Sequence, residues 1–201
     1  MSKTVRKRAT VFTAMLLCFA GASTYLVIHT RSAVTDLGSS TPKAVSEIGG
    51  YRTWQKVNHD PELMDPGTRA LCAPISPIGA AVLSPPNPHQ DKYITVYVND
   101  TGKNAMMEQA KPKFPAGSVI VKEKLPDKSS QSPELLTVMI KKEKGFNPQS
   151  GDWEYMVVDG KGESISARGK LQNCQGCHLG NPNTDYIFRT YLPAEVANKL
   201  K

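Results

Sequence analysis

A cysteine pair followed at once by a histidine, Cys174-Gln-Gly-Cys177-His178, restricts this chain more than any other stretch. On one helical turn, residues i and i+3 share a face, so both thiols can reach one edge of a flat ligand. The next residue then turns its imidazole beneath that ligand. Cys-x-x-Cys-His is the attachment pattern of covalent c-type haem. The thiols add to the haem vinyl groups, and His178 is the expected proximal ligand to the iron. A zinc site would need about four ligands, usually from a second Cys or His pair. The other histidines, His29, His59 and His89, are scattered. A thiol redox centre would be expected between a strand and a helix of a βαβ unit, whereas this motif follows a run of strand-like segments. The expected cofactor is one covalent haem c, held by Cys174 and Cys177, with His178 as the metal ligand.

The N-terminus agrees with that expectation. Lys3, Arg6, Lys7 and Arg8 precede Val11–Ile28, 18 residues without a charge. A basic flank before an apolar run is an export signal, and a run of this length can also span a bilayer. Ala20-Gly21-Ala22 offers a cleavage site, but the apolar Tyr25–Ile28 that follows favours an uncleaved anchor. The charge bias places the N-terminus in the cytoplasm and the rest on the periplasmic side of a bacterial membrane. These four cations also supply most of the formal charge of +7, so the basic balance does not indicate nucleic acid. Cys18 lacks the small preceding residue of a lipid-attachment site. With Cys174 and Cys177 assigned to haem, Cys72 is left without an intrachain partner, and it is read as a buried, inert thiol in preference to a reactive or interchain one.

The chain divides into a signal or membrane anchor (1–30), a Ser-, Thr- and Gly-rich linker (31–50) and a domain (51–201). The stretch from His59 to Gln90 holds seven prolines and predicts irregular structure. Strands are predicted at Tyr93–Val98, Ser118–Lys124, Leu135–Lys142 and Trp153–Asp159, where β-branched and aromatic residues concentrate. Helices are predicted at Asn104–Lys111, over the cysteine motif, and after Pro193. The fold class is α+β, mainly an antiparallel β-sheet with a few short helices.

Four segments in order, Phe114–Glu123, Gly151–Tyr155, Cys174–His178 and Asn183–Phe188, resemble the cytochrome P-460 family, related to the β-sheet cytochromes c-prime. The resemblance covers about residues 51–195. It implies a small antiparallel β domain, a homodimer, one five-coordinate c-type haem, and a small nitrogen species such as nitric oxide or hydroxylamine bound or oxidised there. It also implies a covalent link between the porphyrin and a lysine, which falls at Lys122. Strand alternation puts Lys122 on the same face as Ser118 and Ile120. Family members that oxidise hydroxylamine carry a carboxylate shortly before the haem motif. Here Ser166–Asn173 holds no acid, Glu163 is the nearest, and Arg168 and Lys170 are expected to favour anionic ligands or the haem propionates. The alternative is a six-coordinate, membrane-tethered electron-transfer cytochrome with a redox partner protein. Its second ligand would come from Met106, Met107, Met139, Met156, His59 or His89. Phe114, Trp153, Tyr155 and Phe188 are candidate walls of the pocket and are equally explicable as core.

Overall fold

The computed structural model describes residues 45–64 and 92–201. The expected anchor, Cys18, Cys72 and His89 lie outside the described residues. Seven strands of the described residues form one antiparallel sheet: β1 (Gln55–Lys56), β2 (Glu62–Leu63), β3 (Tyr93–Val98), β4 (Val119–Leu125), β5 (Leu135–Lys141), β6 (Trp153–Asp159) and β7 (Ile165–Gly169). From β3 to β7 the strands form a meander in chain order, while β1 and β2 both pair with β3. Among the described residues, no helix is long and apolar enough to cross a membrane.

The sheet is covered on both faces, and this explains its sequence. A strand buried on one side alternates apolar and polar, whereas β4 is buried at six of its seven positions and only Lys122 is half-exposed. One face carries Val119, Val121, Leu136, Val138, Ile140, Met156 and Val158, covered by Val45 and Ile48. The packed unit therefore includes residues within the 31–50 stretch read as linker. The charge on this face is paired: the buried Glu123 accepts hydrogen bonds from Tyr51 Oη at 2.6 Å and Arg52 Nε at 2.8 Å. The other face carries Ile94, Val96, Val98, Ile120, Met139, Trp153 and Tyr155, covered by Ala105, Met106, Phe114, Ile187 and Tyr191. The cysteine motif sits on this second face.

Three short helices complete the unit: α1 (Asp100–Glu108), α2 (Gln172–His178) and α3 (Ala194–Lys199). The first begins four residues before its predicted start. Asn99 caps it, accepting from the Gly102 amide at 3.1 Å and also from the Val119 amide at 3.0 Å, while its Nδ2 donates to the Gly117 carbonyl at 2.9 Å. Gly102, a poor helix former, is required there because a Cβ would stand 2.8 Å from Val98 Cγ2. The Tyr186–Tyr191 stretch is irregular.

Candidate functional site

The motif helix packs over one end of the second face. Cys174 is half-buried against the core, Cys177 is buried, and both belong to one helical turn. The His178 ring lies between two aromatic neighbours, with Tyr155 at 5.5 Å between ring centroids and Phe188 edge-on at 5.0 Å. Its Nδ1 is 2.6 Å from the Tyr186 carbonyl. A carbonyl only accepts, so Nδ1 is the protonated nitrogen and Nε2 keeps its lone pair for a metal. Burial pushes the imidazole pKa down to about 4, and the positive charge of Lys122 adds to that, against the pull of the Tyr186 carbonyl. The ring is therefore neutral at physiological pH, as metal ligation requires.

The same electrostatic effect places Lys122. Cross-strand register aligns Val96, Lys122, Thr137, Val157 and Ala167 in one row across the sheet, on the face of Ile120. The neighbouring row, Val98, Ile120, Met139 and Tyr155, is buried throughout. In the Lys122 row, every residue except Val96 is only half-buried. A partly open floor of small and mixed side chains, on the sheet face that carries the helix with both thiols and a neutral histidine, suits a haem. Cys174, Cys177 and His178 would hold it, and Lys122 stands on the same floor. Among the described residues, no group of three or more His, Cys, Asp or Glu is placed to hold a metal ion by itself.

The other segments that carry the family resemblance meet behind His178. Asp185 and Tyr186 both take left-handed backbone angles, with φ of 53° and 66°. Asp185 is buried. Its Oδ2 accepts from the Phe114 amide at 2.9 Å and from Lys141 Nζ at 2.7 Å, and its carbonyl accepts from Trp153 Nε1 at 2.8 Å. Phe114 and Trp153 meet edge-to-face at 5.4 Å, a pairing that adds about 0.5–1.5 kcal/mol beyond area burial. Asn147 bridges the Trp153 carbonyl at 3.1 Å and Gln175 Oε1 at 3.0 Å, which fixes α2 to the loop before β6. Arg189 donates to the Gln109 and Met106 carbonyls, each at 2.8 Å, and so ties the Phe188 segment to the end of α1.

Several sequence expectations change here. Phe114, Trp153, Tyr155 and Phe188 were expected as pocket walls. Tyr155 and Phe188 instead flank the histidine ring, and Phe114 and Trp153 are core beneath Asp185. The expectation that Arg168 would meet a ligand is overturned. In register Arg168 stands opposite Met156, on the first face, where it forks onto Glu154 at 2.9 and 3.0 Å and also pairs with Glu47. Lys170 lies over the Phe146 ring. Glu163 belongs to the β6–β7 turn, where it borders a groove with Tyr51, Arg52 and Pro133 that contains none of the motif residues. Among the six candidates for a second axial ligand, Met156 is on the opposite face, Met106 is fully buried under the core, Met107 packs against it, and Met139 packs between Ile120 and Tyr155. His59 is exposed and paired with Glu195 at 2.7 Å. Lys141 and Asn147 were not singled out by the sequence, since each sits in a strand or turn with no local motif of its own, and Asp185 entered only within the Asn183–Phe188 segment, with no role of its own.

The family model described as cytochrome P460 matches residues 48–189, from the first buried turn to the segment behind His178. No match was found among curated proteins.

Proposed function

Because this chain belongs to the cytochrome P460 family of c-type haem proteins, we propose that it is an exported haem protein with one covalent haem c and an open iron face. Cys174 and Cys177 carry the thioether bonds, and His178 Nε2 binds the iron. The haem would take a small nitrogen species, nitric oxide or hydroxylamine, as its ligand or substrate. The bound group would supply the ligand-binding and redox chemistry. The protein residues orient the axial histidine, exclude water from its ring and shape the floor.

The single observation that carries this reading is the 2.6 Å hydrogen bond from His178 Nδ1–H to the Tyr186 carbonyl. It fixes the tautomer that leaves Nε2 as a ligand and raises its basicity. The six-coordinate alternative gains no support from the described residues, where the candidate second ligands are packed into core, turned to the opposite face or exposed. The position of Lys122 on the floor supports its link to the porphyrin.

The test is an optical and mass measurement on the chain produced with c-type maturation. The expected result is a covalent haem mass, a five-coordinate ferrous spectrum and a saturable spectral change with nitric oxide. A haem-free mass, or a sharp six-coordinate spectrum unaltered by nitric oxide, overturns the reading. Lys122→Ala is expected to shift the ferrous Soret band strongly and to restore the hydrogens lost in forming the lysine–porphyrin bond. An unchanged spectrum and mass would remove the link while leaving the haem site standing.

A further inference from the structure

Two consecutive non-glycine residues in the left-handed region are costly, about 1–3 kcal/mol each, and persist only where surrounding contacts force them. Asp185 and Tyr186 are such a pair. The contacts that force them come from several parts of the chain. Lys141 at the end of β5 and the Phe114 amide grip the Asp185 carboxylate. The indole of Trp153 holds the Asp185 carbonyl. The Asn181 carbonyl accepts from the Tyr186 amide at 2.8 Å. Gly151 lets the Tyr186 ring lie against the backbone, since a Cβ there would stand 2.4 Å from Tyr186 Cδ2. The Lys141 ammonium is itself largely buried and lies 5.0 Å over the Trp153 ring, so the ion pair is sheltered from solvent.

The product of this arrangement is one oriented carbonyl. With both residues left-handed, the Tyr186 carbonyl points at His178 Nδ1. We propose that Asp185, gripped by Lys141, is a positioning residue for the axial histidine: it holds the Tyr186 carbonyl against Nδ1–H and thereby sets the electron-donating strength of Nε2. This rests on His178 being the iron ligand, as argued above. A shorter Nδ1–H···O bond gives the imidazole more anionic character, which strengthens the bond to iron and favours the ferric state. Loosening the clamp should therefore weaken the iron–histidine bond and raise the reduction potential.

The experiment uses the haem-loaded chain. Resonance Raman of the ferrous form reads the iron–histidine stretch, and a redox titration reads the potential. Asp185→Asn can still occupy the left-handed region and accept from the Phe114 amide, but it loses the charge that anchors Lys141. It is expected to lower the stretching frequency and raise the potential, and Asp185→Ala should do so further. Lys141→Met should follow Asp185→Asn. Glu154→Gln is the control, because it breaks a comparable ion pair on the opposite face of the same sheet. It should cost stability and leave stretch and potential at wild-type values. Unchanged stretch and potential in Asp185→Asn and Lys141→Met would overturn the proposal, as would an equal shift in Glu154→Gln. If the wild-type chain shows no iron–histidine band, the five-coordinate reading has failed, and the clamp is then read from the His178 Nδ1–H proton resonance. An upfield move of that resonance in Asp185→Asn supports the clamp, and no move overturns it.

Discussion

Gly151→Ala and Gly50→Ala form a matched pair that measures how tightly the Tyr186 segment is held. Both glycines have left-handed backbone angles, φ 63° and 71°. Placing a Cβ there costs about 1–2 kcal/mol for the backbone alone. At Gly50 no atom lies within 4 Å of the new methyl, so that is the whole expected effect. At Gly151 the methyl would lie 2.4 and 2.7 Å from two atoms of the Tyr186 ring and 3.0 Å from Asp185 Oδ1. The ring cannot simply swing aside, because its backbone is fixed through Asn181 and through Asp185. Overpacking of this kind costs about 1–3 kcal/mol more, for a total of roughly 2–5 kcal/mol. With a urea m-value of about 2 kcal/mol/M, the midpoint should fall by roughly 1–2.5 M for Gly151→Ala and by roughly 0.5–1 M for Gly50→Ala. Urea unfolding followed by far-ultraviolet circular dichroism checks both at unchanged m. Equal midpoint shifts in the two variants would refute the reasoning, since the larger shift expected at Gly151 rests on the contact with Tyr186 and Asp185.

Two further outcomes follow from contacts away from the motif. Arg168 holds the Glu154 carboxyl below its ordinary value of 4.5, with Lys142 assisting. A depressed carboxyl contributes stability that is fully present above its unfolded value and is lost as pH falls through the folded one. The urea midpoint of the native chain should therefore fall on acidification below about pH 4.5, and that fall should be shallower in Glu154→Gln; identical pH profiles would show the fork to be energetically idle. Asn99→Ala removes a helix cap together with the bonds to Val119 and Gly117, and should cost about 1–2 kcal/mol by the same unfolding assay, against a few tenths for an uncoupled surface position.

The central strands were legible because apolar, β-branched residues in β3 to β6 leave little else to form, and alternation alone assigned Lys122 to the face of Ile120. β7 was not legible. Ile165-Ser-Ala-Arg-Gly169 is a mostly exposed edge strand with a bulge opposite Val157 and Val158, so its pattern reads as polar loop. That omission also misdirected Arg168. Without the strand and its register, a cation four residues ahead of α2 looks available to a ligand, whereas pairing with β6 turns it to the other face. The helix turn of the motif was legible from its spacing. The hydrogen bond that selects the histidine nitrogen was not, because a backbone carbonyl has no side-chain signature.

The location of Asp185 gives a reason why the recognisable words of this sequence are spread along the chain. Gly151 and Trp153 belong to one, Phe114 to another, Asp185 and Tyr186 to a third, yet all of them contact the same left-handed turn. The histidine proposed as the iron ligand, on a seven-residue helix, cannot be held by that helix alone, since isolated helices that short are not stable. Its orientation has to come from tertiary contacts. The sheet supplies Trp153 and Lys141 from adjacent strands in direct register, which fixes their separation, and the turn at Asp185 converts that separation into the direction of one carbonyl. Residues remote from the cysteines in sequence therefore fix the geometry at Nδ1, where the proposed haem attachment would use Nε2 and the two sulfurs.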